Sequence, residues 1–225
     1  NGIELQNLPE SWIWVEFWKI IFELKNGIYL VAPNVEPPGN PILRISAVRS
    51  GSVNLADRKY LSNFDMDLNK YYLEEKDLLF TRYNGSLDLV GICGMVRNLK
   101  GNTLYPDKLI RVRLALEVIL PEFTEIFFQT HIARKNIIGV VKSSAGQKGI
   151  SGKDLKIQPF PLPPLVEQYE IVRRVNALFA LADQIEQQVA EATKRTEALT
   201  QAVLAKAFRG ELVEWESCHT QNRLV

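Results

Sequence analysis

Two polar, glycine-containing segments carry side chains that could bind a base or a phosphate. The first, TRYNGS, runs from Thr81 to Ser86 and directly follows the apolar residues LLF. Arg, Tyr, Asn and Ser hydrogen-bond to base edges and phosphate oxygens, with Arg suited to guanine and Asn to adenine. The segment therefore predicts a nucleic-acid contact, and an ordinary hairpin tip is the alternative. The candidate contacts are Arg82, Tyr83, Asn84 and Ser86.

The second segment is KSSAGQKGISGK, from Lys142 to Lys153, in a locally basic stretch. Glycines let a backbone approach a phosphate closely, while Ser, Gln and Lys supply hydrogen-bond donors. We predict a DNA-binding loop, with a solvated surface loop as the alternative. Its candidate contacts are Lys142, Ser143, Ser144, Gln147, Lys148 and Lys153, where the lysines are expected on phosphates. Arg44 and Arg49, at a third loop ISAVRSGSVN, give a weaker signal of the same kind.

The motifs of catalysis and cofactor binding are missing from the sequence. A nucleotide-binding P-loop is rejected because Gly146 lies one residue too far from Gly152, and Asp154 stands where Ser or Thr is required. F-x-G-x-G, N-P-P-[FY], G-x-S-x-G and H-E-x-x-H are absent. Two cysteines and two histidines are too few for a metal centre built on them. We therefore predict a binding protein that is not an enzyme and holds no cofactor or metal.

The candidate segments lie in a region with a mixed helix and strand pattern. Short apolar runs bounded by Gly, Pro, Asn and Asp predict strands. These runs are Ile42 to Val48, Leu78 to Phe80, Leu89 to Met95 and Ile137 to Val141. Leu116 to Ala133, with Pro121 near its start, predicts a helix. Residues 1–158 are expected to form one α+β domain with a curved antiparallel or mixed sheet.

A different pattern begins after the proline run of residues 159–165, which we predict to be a stiff connector. Residues 166–208 contain neither Gly nor Pro, and Gly210 follows as a cap, so we predict a long helix over 166–210 and a tail over 211–225. Apolar residues recur at alternating spacings of three and four, as in a coiled-coil seam, and Thr196 is the one polar residue in this series. The seam residues are Val175, Leu178, Ala182, Ile185, Val189, Ala192, Leu199 and Val203.

This helix should need a partner. At 1.5 Å per residue the helix would be about 65 Å long, whereas a globular domain the size of residues 1–158 is about 30 Å across. We expect most of it to project and to pair with another helix; the alternative is that it folds back as core. The sequence has 27 basic and 26 acidic residues, a net charge of +1, which combines a basic first part with a slightly acidic helix and tail. Without a membrane-length apolar run or a signal peptide, a cytoplasmic protein is expected.

Several segments together resemble one family. KGISGKDLKIQPFPLPPLVEQYEIVRRV and the helix ending AFRGELV resemble the specificity subunit of type I restriction–modification systems, as do LPESWIWVEF, NPILRIS and EKDLLFTRYNGSLDLVG. These segments follow the family's order from Leu8 to Val213, and LPPL-x-EQ is the most specific of them. One departure is Lys76, where the family pattern has Gly.

The resemblance implies a non-catalytic subunit whose recognition domain reads half of a bipartite double-stranded DNA site. Methylation subunits, which bind S-adenosylmethionine, dock around its helices, and a restriction subunit is an optional further partner. Family members carry two recognition domains and two helices, whereas this sequence has one of each and no internal repeat. We therefore expect a half-length subunit that forms an antiparallel homodimer and reads an inverted repeat. The alternative function is a helix-dimerised protein-interaction scaffold without DNA recognition.

Overall fold

A computed structural model describes residues 7–29, 37–62, 67–144 and 146–212. The chain divides into two units, residues 1–173 and 174–225. The first unit contains strands and short helices, and the second is helical where it is described. The predicted α+β class is confirmed.

The strands form several small antiparallel sheets. Their bounds are β1 (Ile13–Glu16), β2 (Ile21–Asn26), β3 (Asn40–Leu43), β4 (Val48–Arg49), β5 (Ser52–Val53), β6 (Arg58–Leu61), β7 (Leu78–Thr81), β8 (Tyr83–Asn84), β9 (Cys93–Met95), β10 (Leu109–Leu114), β11 (Lys142–Ser144), β12 (Gln147–Gly149) and β13 (Pro159–Leu162). The described sheets have the strand orders β2-β10-β7-β9, β11-β12-β8, β1-β13, β3-β6 and β4-β5. We expected a curved antiparallel or mixed sheet, and the described strands form several small antiparallel sheets. Turns of 3-10 helix, such as Ile45–Ala47 between β3 and β4, interrupt the strands.

The four-stranded sheet has a core on each face. Side chains alternate across a strand, so Leu78 and Phe80 of β7 enter one cluster with the helices, while Leu79 enters a second cluster. The first cluster is rich in phenylalanine: Phe80 lies 4.8 Å from Phe128, ring centre to ring centre, at an edge-to-face angle. Strand β7 is buried along its whole length and leads directly into β8, so the start of β8 is firmly anchored.

Two consecutive helices cover this core, α1 (Pro121–Gln129) and α2 (His131–Val140). Pro121 occupies the first turn of α1, where its missing N–H costs nothing. Thr130 ends α1 and caps α2 by accepting a hydrogen bond from the Ala133 backbone N–H at 3.3 Å. The helix predicted over Leu116 to Ala133 thus begins later and is divided in two.

Several predicted strands are wrong in part or in full. Ile137 to Val141 lies largely in α2. The prediction failed because an apolar run this short shows no periodicity that distinguishes a strand from a buried helix. Within Leu89 to Met95 only Cys93–Met95 is strand. Ile42 to Val48 is broken after Leu43 by the 3-10 turn. The strand predicted at Leu78 to Phe80 is confirmed.

The segment expected as a connector contains β13, which pairs antiparallel with β1 from Ile13↔Leu162 to Glu16↔Pro159. Proline cannot donate a backbone hydrogen bond. In this two-stranded sheet β13 has a partner strand on one edge only, so it can contain prolines. Phe160 of β13 is fully buried in the phenylalanine-rich core. These residues therefore pack within the first unit.

Two further helices complete the described chain, α3 (Gly152–Lys156) and α4 (Leu165–Phe208). The helix predicted over 166–210 is observed with closely similar bounds. Its C-terminus is a Schellman motif: Gly210 has a φ of 73°, its N–H donates to Ala207 at 3.1 Å, and the Glu211 N–H donates to Lys206 at 2.9 Å. The tail beyond Leu212 lies outside the described residues.

Candidate nucleic-acid interface

The two polar segments identified in the sequence meet in one sheet. Strand β12 pairs with β11 on one side and with β8 on the other, all antiparallel. Lys148 of β12 is opposite Ser143 of β11 and Asn84 of β8. Residues 84 and 148 are distant in sequence, so only the fold brings them together. The segment 142–153, predicted as a loop, is a β-hairpin followed by α3.

The strand register assigns the candidate residues to two faces of this sheet. Directly paired residues project to the same face, so Ser143, Lys148 and Asn84 form one row. Lys142 and Tyr83 lie on the opposite face, on either side of Gly149. Gln147 is two residues before Gly149 and shares that face. Ser144 pairs with Gln147 through its backbone, and its side chain is outside the described part.

Arg82 and Tyr83 form a packed pair at the base of β8. The Arg82 guanidinium lies 4.6 Å from the centre of the Tyr83 ring, and its Nη1 donates to the Asp107 carbonyl at 3.4 Å. A Cβ at Gly149 would overlap the Tyr83 ring, so glycine is required there by the close approach of the ring. Arg82, predicted to contact a base, is thus largely engaged in holding Tyr83 and the neighbouring loop.

Asn84 is held by its own turn. Its Oδ1 accepts a hydrogen bond from the Ser86 backbone N–H at 3.0 Å, which closes a local turn over Gly85. The amide nitrogen keeps its two donors, while Ser86 is exposed. Lys148 is half-buried, and its ammonium group makes no ion pair with any residue that the structure describes. Lys148 and Asn84 therefore offer donors to an acceptor outside the chain.

An ion pair links β11 to α3. The Lys142 ammonium lies 3.6 Å from Asp154 Oδ1, and Asp154 with Ser151 forms a capping box at the start of α3. Burial opposes ionisation of Asp154, but hydrogen bonds from Ser151 and the charge of Lys142 together hold the pKa of Asp154 below its ordinary value. The Lys142 side chain stays 81% exposed, so this weak surface pair leaves it accessible to a phosphate.

Two basic residues near the sheet were missed as site residues by sequence reasoning. Arg134 of α2 donates to the carbonyls of Leu87, at 2.6 Å, and Val90, which fixes the turn that follows β8. Burial lowers the pKa of its guanidinium. Lys108 is exposed, and its carbonyl accepts the Arg82 N–H at 2.8 Å. No sequence signal relates either residue to TRYNGS.

The other candidate residues are not part of this sheet. Arg44 is exposed and lies 3.6 Å from Asp57, and Arg49 belongs to the β4–β5 hairpin and donates to its neighbouring Val48 carbonyl at 3.1 Å. Lys153 belongs to α3 and lines an open pocket with Leu24, Asn26, Gly152 and Lys156. DNA contact by all three stays a prediction.

The LPPL-x-EQ segment anchors the first turn of α4 to the first unit. Gln168 is fully buried; its Oε1 accepts the Leu120 N–H at 2.8 Å, and its Nε2 donates to Val118 at 3.0 Å and Pro163 at 2.9 Å. Trp12 donates from Nε1 to Glu167 at 2.7 Å. The Gln168 amide thus satisfies the backbone N–H of Leu120 at the start of α1. The neighbouring Glu167 carboxylate holds Trp12, which immediately precedes β1.

The second unit carries the predicted seam on its helix. Val175 is half-buried, and the other seam residues, Leu178, Ala182, Ile185, Val189, Ala192, Leu199 and Val203, are exposed. The polar lapse at Thr196 is satisfied within the helix, because its hydroxyl donates to the Ala192 carbonyl at 3.0 Å. The seam therefore offers an apolar surface without an unpaired hydroxyl.

Comparison with known proteins identifies the class. The chain matches the model of the type I restriction modification DNA specificity domain over residues 17–195, well over half of its length, and it belongs to this family of non-catalytic specificity subunits. The resemblance seen in the sequence is thereby confirmed. Within the described ranges, no helix is long and apolar enough to cross a bilayer.

Individual relatives extend this match. The chain is 53% identical over 205 residues to the type I restriction enzyme EcoKI specificity subunit of Escherichia coli strain K12, covering 90% of this chain and 44% of that protein. It is 38% identical over 177 residues to the StySPI specificity subunit of Salmonella potsdam, covering 78% and 38%. The chain thus spans less than half of these curated relatives. The crystal structure of the HsdS subunit from Thermoanaerobacter tengcongensis matches with a TM-score of 0.66 and 22% identity over 89% of this chain and 50% of that one, which shows a shared fold.

Proposed function

We propose that this chain recognises a DNA sequence for a type I restriction–modification methyltransferase, and that it binds DNA through the β8–β12–β11 sheet. The observation that carries the proposal is the strand register that unites Asn84 with Lys148 and Ser143. Within this three-stranded sheet, the β11–β12 hairpin is a two-stranded β-ribbon, which is narrow enough to enter the major groove, and exposed lysines can neutralise phosphates. Membership of a DNA-specificity family supports the same conclusion.

We further propose that two copies pair antiparallel through the helix seam. Support comes from the exposed apolar residues at coiled-coil spacing, such as Ile185 and Val189, which are 51% and 60% exposed. Two-fold symmetry would give both recognition units the same half-site, so the target would be an inverted repeat. Methylation subunits would supply S-adenosylmethionine and catalysis, a restriction subunit would be an optional partner, and the complex would act on DNA in the cytoplasm.

DNA binding can be tested with the chain co-purified with its methylation subunit. Fluorescence anisotropy with a pool of randomised duplexes, over about 50 to 200 mM salt, measures affinity and its salt dependence. Lys148→Ala should weaken binding to all sequences and reduce the slope of log K against log salt by about one unit. Lys100→Ala makes the same change at an exposed loop residue outside the sheet and should preserve the slope.

The outcomes separate the proposal from its alternative. Equal slopes for Lys148→Ala and wild type would remove Lys148 from the interface. A wild-type complex that binds methylation subunits but no duplex would favour the protein-interaction scaffold. Turnover by the chain alone, with Mg²⁺ and S-adenosylmethionine, would contradict its non-catalytic role.

A further inference from the structure

Among the candidate DNA contacts, we infer that Gln147 is the residue that reads adenine; this inference rests on the proposed DNA-recognition function. Adenine presents an acceptor, N7, beside a donor, the N6 amino group, in the major groove. A side-chain amide supplies a donor and an acceptor together, as this pattern requires. In the two polar segments that form the sheet, the amides are Asn84 and Gln147.

Asn84 is poorly suited to this task. Its Oδ1 accepts the Ser86 N–H at 3.0 Å, so the amide plane is fixed by the local turn. To present Oδ1 and Nδ2 together to a base edge, Asn84 would have to use the second lone pair of Oδ1 in the amide plane that the turn fixes, and it could not reorient without losing the Ser86 hydrogen bond. With the turn intact, Asn84 can offer its Nδ2 donors to an acceptor such as guanine O6, thymine O4 or a phosphate oxygen.

Gln147 has both amide atoms available. Its side chain is exposed and makes no hydrogen bond with the residues that the structure describes. It opens β12 directly after Gly146, which has a φ of 77° and nothing within 4 Å of the position where a Cβ would be built. Apart from its chain neighbours, no described residue therefore fills the space beside Gly146, and the longer Gln147 side chain can align both amide atoms with a base.

The neighbours of Gln147 suit a groove-facing position. The register places Gln147, Tyr83 and Lys142 on one face, with Gly149 between the last two. Tyr83 is held by Arg82 at 4.6 Å, and Lys142 is 81% exposed. A fixed aromatic ring and an exposed cation on the same face as one free amide allow the amide to specify a base while the lysine neutralises a phosphate.

The experiment is selection from a randomised duplex pool by the complex with the methylation subunit, followed by sequencing. Wild type should select a motif with a required adenine. Gln147→Ala should reduce the preference for that adenine by roughly 5- to 150-fold and leave the other positions selected. Gln147→Glu, which can only accept, should shift the preference at that position towards cytosine. Asn102→Ala, which removes an exposed amide from a loop outside the sheet and outside α4, should reproduce the wild-type motif.

Each contrary outcome is distinct. A Gln147→Ala complex that selects the wild-type motif overturns the inference and leaves DNA recognition intact. Loss of the adenine preference in Asn84→Ser, but not in Gln147→Ala, reassigns the reading to Asn84 and also overturns it. A selected motif without adenine has the same effect. A wild-type complex that selects no sequence refutes the proposed function itself.

Discussion

Replacing Gln168 by leucine tests how strongly a single buried amide holds the start of α4. The two side chains have similar size, so the change removes hydrogen bonds without opening a large cavity. The Leu120 N–H, which Gln168 satisfies at 2.8 Å, would be left buried and unpaired, at a cost of about 1–3 kcal/mol. The carbonyls of Val118 and Pro163 would each lose a donor, at about 0.5–1.5 kcal/mol.

A partial gain opposes these losses. Burying an apolar leucine in place of an amide returns about 1–2 kcal/mol. The net expectation is a loss of about 1–4 kcal/mol in the free energy of unfolding, a large share of the 5–15 kcal/mol typical of a domain. The change should appear as a lower urea midpoint at constant m-value, because the surface exposed on unfolding is unchanged.

Urea unfolding followed by tryptophan fluorescence measures this loss, since Trp12 hydrogen-bonds to the neighbouring Glu167. Protein concentration must be held constant, because association would add concentration-dependent stability. The matched control is Gln187→Leu, the same change at an exposed position of the same helix, expected within about 0.5 kcal/mol of wild type. A Gln168→Leu protein as stable as this control would refute the assigned role of the three hydrogen bonds.

Three further perturbations follow from the geometry. Ile185→Glu should convert the proposed dimer to monomers in sedimentation analysis while Gln187→Glu, off the seam, stays dimeric; a surviving Ile185→Glu dimer would remove Ile185 from the interface. Because the folded-state pKa of Asp154 is depressed, its contribution to stability is present above its unfolded-state pKa and is lost as pH falls through its folded-state pKa. The stability difference between wild type and Asp154→Asn should therefore shrink on acidification, and a constant difference in urea melts would contradict the stabilising role assigned to the ionised Asp154 carboxylate. Gly149→Ala should destabilise the chain by about 1–3 kcal/mol through overlap with the Tyr83 ring. Gly139→Ala, in an open helical position, should stabilise it by up to about 1 kcal/mol, and the same sign for both would refute the steric reasoning.

Helix α4 could be predicted because its signals are local. Helix-forming composition, the apolar repeat and the terminal Gly210 all lie within the segment itself, and the observed bounds Leu165–Phe208 follow them closely. The short strands could not be predicted as well. Ile137 to Val141 reads as a strand by composition, but Thr130 caps a helix that runs through most of it, and tertiary packing decides between the two.

The candidate site shows the same division between local and distant information. Residue types identified TRYNGS and KSSAGQKG as polar segments, but the pairing of Asn84 with Lys148 depends on strand register. The sequence also suggested Asn84 for adenine, because the hydrogen bond that ties its Oδ1 to Ser86 cannot be read from composition. Arg134 was not among the candidate residues, although it holds the turn after β8.

The sheet combines a fixed base with free ends, and this arrangement suits a recognition element. At the base, the Arg82 carbonyl accepts the Ile150 N–H at 3.0 Å, and Gly149 is buried against Tyr83. At the ends, the side chains of Ser86 and Gln147 are exposed, and neither makes a side-chain hydrogen bond with the residues that the structure describes. Substitutions at the ends should therefore change which bases are contacted at little cost in stability, whereas substitutions at the base should lower stability and displace every contact together. In the proposed interface, a sheet with this polarity would allow the recognised sequence to change while the fold is retained.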